Sequence, residues 1–153
     1  MTAARQPFGR IMLKLSGEAL GGDDGSGIDP ETIRRVCGEI ATTVRSGIEI
    51  AIVMGAGNFF RGMEGVASGM DRVTSDQMGM IATLMNALAL REFLTKEEVG
   101  SIVFSATEMK AVAKYYNPGL GRRMLGKGKV ALCAGGTGNP FFTTDTAAVL
   151  RAL

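Results

Sequence analysis

Apolar residues along this chain fall into short continuous runs that alternate with longer segments of helical spacing. Four short runs predict strands, over Arg10–Leu15, Ile48–Met54, Ser101–Phe104 and Lys129–Ala134. Continuous apolar runs are typical of a sheet that is covered on both faces. Strands that alternate with helices indicate βαβ units and a mainly parallel sheet. The pattern therefore predicts the α/β class, as a three-layer α/β/α sandwich over residues 9–153 after a flexible leader over residues 1–8.

A helix is predicted to begin with Asp29 as its N-cap and Pro30 in the first helical position. Its apolar residues share one face and are expected to be buried: Ile33, Val36, Cys37, Ile40 and Val44. A last helix is predicted to begin near Thr144 or Asp145, and both side chains are candidate caps. Residues 107–126 contain Pro118 and several glycines, which predicts broken helix.

The segment from Arg72 to Thr95 predicts a long helix without a single apolar face. Its apolar residues spread around most of the circumference: Met78, Met80, Ile81, Leu84, Met85, Leu88 and Leu90. A helix that is apolar on several faces is buried in its own domain or against another subunit. We therefore expect a homo-oligomer built on this helix, most simply through a two-fold contact.

Composition narrows the classes of function. Of the 153 residues, 46% are hydrophobic and 21% are charged, and the net charge is only +2. So small an excess gives no basis for binding nucleic acid or an anionic membrane. The chain has no His, which excludes a Ser-His-Asp hydrolase. Without a signal-like or membrane-spanning run, the expected location is cytoplasmic. Cys37 and Cys133 are far apart in sequence and are expected to be buried free thiols.

Three glycine-bearing loops each follow a predicted strand: Ser16-Gly17, Gly55-Ala56-Gly57 and Gly135-Gly136-Thr137-Gly138. In a parallel sheet these loops lie at the carboxyl ends of the strands, where ligands bind. Loops that lead towards helix starts present backbone N–H groups, which attract phosphate. No G-x-x-x-x-G-K-[ST] sequence is present, which excludes a P-loop enzyme. The loops therefore predict a phosphate-bearing ligand that is bound by glycine loops other than a P-loop.

Two cations stand beside these loops. Lys14 is the penultimate residue of the first strand, where a lysine is costly unless it faces an anion. The alternative is an edge residue whose ammonium group reaches water. Arg61 follows the second loop. Its guanidinium group can donate two hydrogen bonds to phosphate oxygens, or Arg61 can be an ordinary surface arginine.

The most informative run is Gly138 to Asp145, which combines a turn, two adjacent aromatic residues and three hydrogen-bonding side chains at a helix start. Without a ligand it is a turn followed by a capped helix. As a site, it supplies polar contacts for a base and an aspartate near Lys14. Asp76, early in the long helix, can cap that helix or accept two ribose hydroxyl hydrogens.

Four segments carry a resemblance to a known family: Leu13–Ala19, Gly55–Gly62, Asp71–Met80 and Gly136–Asp145. In this order they resemble the bacterial uridylate (UMP) kinases, which are members of the amino-acid-kinase family. The similarity runs from about Gly9 to Leu153 and is weakest over residues 96–128.

The resemblance implies ATP-dependent phosphorylation of UMP to UDP in pyrimidine nucleotide biosynthesis, with Mg²⁺ accompanying ATP. It assigns catalytic roles to Lys14, Arg61 and Asp145, with Asp145 orienting Lys14. The residues implied to contact ATP are Lys14, Leu15, Ser16, Gly17, Gly57 and Arg61. The residues implied to contact UMP are Ala56, Asp76, Thr137, Gly138, Asn139, Pro140, Phe141, Phe142, Thr143 and Thr144.

The family resembled is also activated by GTP, inhibited by UTP and assembled into homohexamers. The segment that matches its GTP-linked loop comprises Gly22, Asp23, Asp24, Gly25, Ser26 and Gly27. The family continues beyond Leu153 with the half that binds the adenine and ribose of ATP. We therefore expect this chain to be the acceptor half without the carboxyl-terminal part, with little turnover of its own. Ala56 stands where the family often has glycine, and its backbone angle decides whether its methyl group crowds the phosphate.

Two other readings stay open. Another small-molecule kinase of the same family, such as an acetylglutamate or carbamate kinase, shares single motifs, but the Phe141–Asp145 run argues against it. A nucleotide-binding or assembly module without catalysis is compatible with the apolar long helix and the missing donor half. Separate measurements of UMP and ATP binding distinguish a kinase from such a module.

Overall fold

The computed structural model describes residues 8–153. The leader predicted over residues 1–8 therefore lies outside the described residues, except for the exposed Phe8. The strands are β1 (Arg10–Leu15), β2 (Glu49–Met54), β3 (Ser101–Ser105), β4 (Lys114–Tyr115) and β5 (Val130–Ala134). The α-helices are α1 (Pro30–Arg45), α2 (Gly62–Ala67), α3 (Arg72–Lys96), α4 (Pro118–Leu125) and α5 (Thr144–Ala152). Two short 3₁₀ turns, Gly17–Leu20 and Gly22–Asp24, follow β1.

The five strands form one parallel sheet in the order β1-β2-β5-β3-β4. In the register of the sheet, Leu15 pairs with Met54 and Ser105 pairs with Ala134. The carboxyl ends of β1, β2, β3 and β5 therefore meet at the same edge. The predicted parallel sheet is confirmed, and so is the placement of the glycine loops along one edge.

Helices cover both faces of the sheet, which confirms the three-layer sandwich. One face packs on α1 and α3 in the larger apolar cluster, where Ile33, Ile52, Leu90 and Leu132 are fully buried. The other face packs on α4 and α5 in a smaller cluster around Phe104. Alternation along each strand explains this division, because successive side chains point to opposite faces. No helix of the described part of the chain is long and apolar enough to cross a membrane.

Helix α1 forms as predicted. The Asp29 side chain accepts a hydrogen bond from Thr32 N at 2.7 Å, and Pro30 occupies the first turn. This backbone hydrogen bond to the carboxylate holds the pKa of Asp29 below its ordinary value. On the inner face, burial raises the pKa of the Cys37 thiol to about 12. Cys133 in β5 is also a buried free thiol, and burial raises its pKa to about 11.

Two local predictions need correction, and one short helix was missed. The last helix is capped by Thr143, which accepts from Thr146 N at 3.3 Å, and not by Thr144 or Asp145. Residues 107–126 form the two-residue strand β4 and helix α4, with Asn117 as the α4 cap, and not helix alone. The short helix α2 was not predicted, because Gly62 and Gly65 are poor helix formers.

Candidate functional site

The loops after β1 and β2 pack tightly against each other at the carboxyl edge. Gly55 N donates to Leu15 O at 2.8 Å. A Cβ atom added to Gly17 would lie 2.7 Å from Gly57 N and would overlap the Asn58 side chain. Only glycine permits this approach, because any larger residue would force the two backbones apart.

The loop after β5 depends on glycine because its backbone adopts positive φ angles. Gly135, Gly136 and Gly138 have φ angles of 79°, 56° and 85°, a region that residues with side chains rarely adopt. Gly138 N donates to Gly135 O at 2.9 Å and closes the turn. The backbone therefore turns sharply after β5, and the Thr137–Thr144 segment runs on from this turn to α5.

The predicted pairing of Lys14 with Asp145 is present as a contact. Lys14 Nζ lies 3.3 Å from Asp145 Oδ1, and the side chains are 36% and 70% exposed. Lys14 is on β1 and Asp145 is in the first turn of α5, so the pair joins the first strand to the last helix. Because both groups are accessible, an anion at this edge can reach the ammonium group.

Arg61 is held by acidic neighbours. Its guanidinium group forms an ion pair with Glu18, and its Nε lies 3.8 Å from Glu64 Oε1. Glu18 lies in the turn after β1 and Arg61 lies just before α2. A phosphate that binds Arg61 would have to compete with these carboxylates or join them through a water molecule or a cation.

Asp76 is not the cap of α3, because Asp71 accepts from Thr74 N at that end. Both Asp76 carboxylate oxygens instead accept from Arg72 Nε, each at 2.9 Å. Asp76 Oδ2 also accepts from Phe141 N at 2.7 Å. Phe141 has a φ of 70°, an unfavourable angle for an aromatic residue, and its ring stacks near the Arg72 guanidinium. The contacts of Asp76 and Arg72 with Phe141 connect α3 to the Thr137–Thr144 segment.

A cleft of about 140 Å³ lies between α3 and the loops after β2 and β5. Six of the residues that the resemblance assigned to UMP line it: Ala56, Asp76, Thr137, Asn139, Phe142 and Thr144. The other lining residues were not predicted: Gly62, Gly79, Met80, Thr83 and Gly136. Four assigned residues do not line it: Gly138, Pro140, Phe141 and Thr143. Phe141 points its ring to the surface, and Thr143 caps α5.

Ala56 is compatible with the loop. Among the described residues, positive φ angles outside glycine occur only at Glu98 and Phe141, so Ala56 has an angle that alanine adopts without strain. Its methyl group is nearly buried and lines the cleft.

The segment that the resemblance links to GTP activation lies beside the loops after β1 and β2. Residues 22–26 line an open groove together with Gly57, Arg61 and Glu64. At its end, Gly27 N donates to Asn58 O at 2.7 Å, and Asn58 Nδ2 donates to Gly27 O at 2.5 Å. The segment is thus bonded directly to the loop after β2.

The described residues also form a groove away from the carboxyl edge. A larger groove of about 520 Å³ lies beside Phe104, Tyr116 and Leu150 on the α4–α5 face, but it contains none of the predicted site residues. Within residues 8–153, no group of three or more Cys, Asp or Glu side chains is arranged to hold a metal ion. The chemistry of this part of the chain therefore concentrates at the carboxyl edge.

Solved structures with the same fold cover most of this chain. A UMP kinase from Bacillus anthracis superposes with a TM-score of 0.91 and 36% identity, covering 96% of this chain and 61% of that one. A UMP kinase from Ureaplasma parvum gives a TM-score of 0.88 and 35% identity, covering 96% of this chain and 62% of that one.

Curated relatives are closer in sequence. The chain is 50% identical over 153 residues to a uridylate kinase from Ectopseudomonas mendocina, and 50% identical over 152 residues to one from Pseudomonas aeruginosa. Each match covers 99% of this chain, and the chain spans 62% of the length of each relative. The model of the amino acid kinase family matches residues 9–153, and the chain belongs to that family.

Proposed function

We propose that residues 9–153 form the acceptor half of an ATP-dependent kinase that phosphorylates UMP to UDP. The observation that carries the proposal is the cleft beside α3, which brings Ala56, Asp76 and the Thr137–Thr144 segment together next to the Lys14–Asp145 pair. The 50% identity to proteins named uridylate kinase supports the same substrate. Because this chain spans 62% of those relatives, the activity of the whole protein is part of the proposal.

The proposed chemistry depends on position and charge. Phosphoryl transfer spreads negative charge over the oxygens of the moving group, and catalysis needs aligned reactants and fixed positive charge. Lys14 and Arg61 supply that charge in our proposal, and Asp145 keeps the Lys14 ammonium group at the edge of the sheet. The backbone N–H groups of the glycine loops add donors that need no reorganisation. No general base is assigned to a residue of this chain.

Mg²⁺ belongs to the proposal only as a companion of ATP. The described side chains form no metal cluster, and Mg²⁺ in kinases is often held by nucleotide phosphates with one or two carboxylates. When bound, the ion would neutralise part of the negative charge on the phosphates of ATP. We place the contacts to the adenine and ribose of ATP outside the described residues.

Asp76 is proposed to bind the UMP ribose. An ionised carboxylate only accepts hydrogen bonds, and ribose hydroxyl groups can donate to it. Its present donors are Arg72 and the Phe141 backbone, so ribose binding would replace or share one of them. Phe142 and Thr144, which line the same cleft, are proposed to enclose the uracil with Thr137 and Asn139.

The remaining family properties are also proposals for this protein. We assign GTP activation to the Gly22–Gly27 segment, because it adjoins Gly57 and Arg61. We also propose UTP inhibition and a place in pyrimidine nucleotide biosynthesis from the resemblance, and a cytoplasmic location as expected from the sequence pattern. The homo-oligomer, up to a hexamer, is assigned to the exposed apolar residues of α3: Met78, Ile81 and Met85.

Nucleotide selectivity tests the proposed function. Calorimetric titration should show that UMP binds more tightly than AMP or GMP by about 1–3 kcal/mol, because a misfitting base leaves polar groups unpaired. Arg61→Ala should weaken UMP far more than uridine, since only UMP offers a phosphate dianion. Asp76→Asn, the matched control at the proposed ribose contact, should weaken both alike. Equal affinity for the three monophosphates would refute the assignment of UMP.

A further inference from the structure

Helix α3 buries polar side chains where an ordinary packed helix buries apolar ones. Ser75 and Asn86 are fully buried, and Thr83 is 2% exposed. Spacings of eight and three residues bring them to a common side of the helix. A buried polar group lowers stability unless it is hydrogen-bonded, so its partners indicate why it is there. All three side chains bond to main-chain atoms near the cleft: Ser75 to the first residue of α2, Thr83 to its own helix, and Asn86 to the loop after β2.

Asn86 holds the loop after β2. Its Nδ2 donates to Gly55 O at 2.8 Å and to Asn58 Oδ1 at 2.7 Å. Asn58 Nδ2 returns a hydrogen bond to Asn86 Oδ1 at 2.9 Å and donates to Gly27 O. The two amides therefore form a reciprocal pair whose donors and acceptors are all used. Ala56 and Gly57, which are proposed to meet the phosphates, lie inside the segment that this pair fixes.

Thr83 holds the loop after β5. Its Oγ1 accepts from Gly135 N at 2.7 Å and donates to Met80 O at 2.6 Å. Gly135 is the first residue after β5 and begins the turn that leads to the Thr137–Thr144 segment. Thr83 also lines the cleft. Within one turn of α3, Asn86 and Thr83 thus bond to the two loops that line the cleft beside this helix.

We propose that Thr83 and Asn86 are positioning residues that fix the separation of residues 55–58 after β2 (the phosphate loop) from residues 135–143 after β5 (the base loop). This proposal rests on the assignment of the cleft to UMP. Asn86 acts on the phosphate side, because its bonds end at Gly55 and Asn58. Thr83 acts on the base side, because its bond ends at Gly135. The two residues should therefore affect different parts of the same ligand.

The test compares UMP with uridine by calorimetry on the intact protein. Asn86→Leu should weaken UMP about tenfold, which corresponds to about 1.4 kcal/mol, while uridine changes by less than about twofold. Asn86→Asp keeps the shape but loses both donors, and it should show the same selective loss. Thr83→Val should weaken UMP and uridine by the same factor, about tenfold. Thr83→Ser keeps the hydroxyl group and should restore both affinities.

A substitution of an apolar core residue on the same helix controls for effects that come only from lost stability. Leu90→Ala removes a fully buried side chain of α3 whose place is in the apolar core. It should lower Tm at least as much as the polar substitutions while leaving the ratio of UMP to uridine affinity unchanged. All binding is measured below the lowest Tm of the set.

The outcomes separate the two proposals. If the unaltered protein binds neither UMP nor uridine, the proposed function fails and the positioning roles fail with it. If it binds both and Asn86→Leu leaves the ratio of affinities as it was, only the positioning role of Asn86 is overturned. If Thr83→Ser is as weak as Thr83→Val, the hydroxyl group is not what positions the base loop. A selective loss in Asn86→Leu and rescue by Thr83→Ser support the proposal.

Discussion

Helices α1 and α3 pack side by side on the same face of the sheet and share one apolar core, yet they differ in the polar residues that they bury. Helix α1 turns Ile33, Cys37 and Ile40 into the core and leaves charged residues outside. Between Ser75 and Asn86, α3 turns Ser75, Thr83 and Asn86 inward, and it leaves Met78, Ile81 and Met85 between 39% and 51% exposed. Both helices supply core residues, but only α3 also carries buried polar side chains that bond to the loops of the cleft and an exposed apolar surface, to which we have assigned the proposed oligomer contact.

The largest expected effect comes from α1, and it should be on stability alone. Ile33→Ala removes most of a fully buried side chain and should lower the free energy of unfolding by about 2–5 kcal/mol, measured by urea denaturation. Ile33→Val, as the milder control, should cost about 0.5–1.5 kcal/mol. UMP affinity of the folded protein should not change. A selective loss of UMP over uridine in Ile33→Ala would show that the contrast between the helices is wrong.

Sequence indicated α1 fully, because its signals are local. Asp29 and Pro30 mark the start, and the apolar spacing identifies the inner face. The bounds of α3 were predicted as well, since Asp71 and Arg72 open a long run without Pro. What the sequence did not reveal is which way its residues face. Thr83 and Asn86 look like ordinary interior helix positions, and their partners Gly135 and Gly55 lie 52 and 31 residues away.

In the candidate site, too, the features with local signals were predicted and those that depend on distant contacts were not. Glycine loops after strands indicated the ligand edge, because parallel topology brings such loops together without any long-range information. The ion pair of Arg61 with Glu18 and the hydrogen bond of Asp76 with Phe141 were not predicted. Both depend on where two distant loops meet in space. A residue of unfavourable φ, such as Phe141, has no signature in sequence because its angle is imposed by those contacts.

The next effect concerns the outer face of α3. Ile81→Glu should dissociate the proposed homo-oligomer, because a carboxylate buried in an apolar contact loses its hydration without gaining a partner. Light scattering should show a lower mass at micromolar concentration, with Tm of the folded subunit nearly unchanged at an exposed position. Arg34→Glu, a charge change on the exposed face of α1, is the control and should leave the mass unaltered. A monomer before any substitution would contradict the proposed assembly.

The smallest effect is at the amino terminus of α1, where the cap makes the helix sensitive to pH. The pKa of Asp29 is lowered by the hydrogen bond from Thr32 N, so the unfolded chain binds a proton more readily than the folded one. Stability from this cap is therefore present above about pH 4, the ordinary range of an aspartate, and is lost as pH falls further. Tm of the unaltered protein should exceed that of Asp29→Ala at pH 7, and the difference should shrink towards pH 3. Asp29→Asn keeps an acceptor oxygen without a charge, so its difference from Asp29→Ala should not vary with pH. A constant gap between the unaltered protein and Asp29→Ala across this range would show that the charge of Asp29 does not stabilise α1.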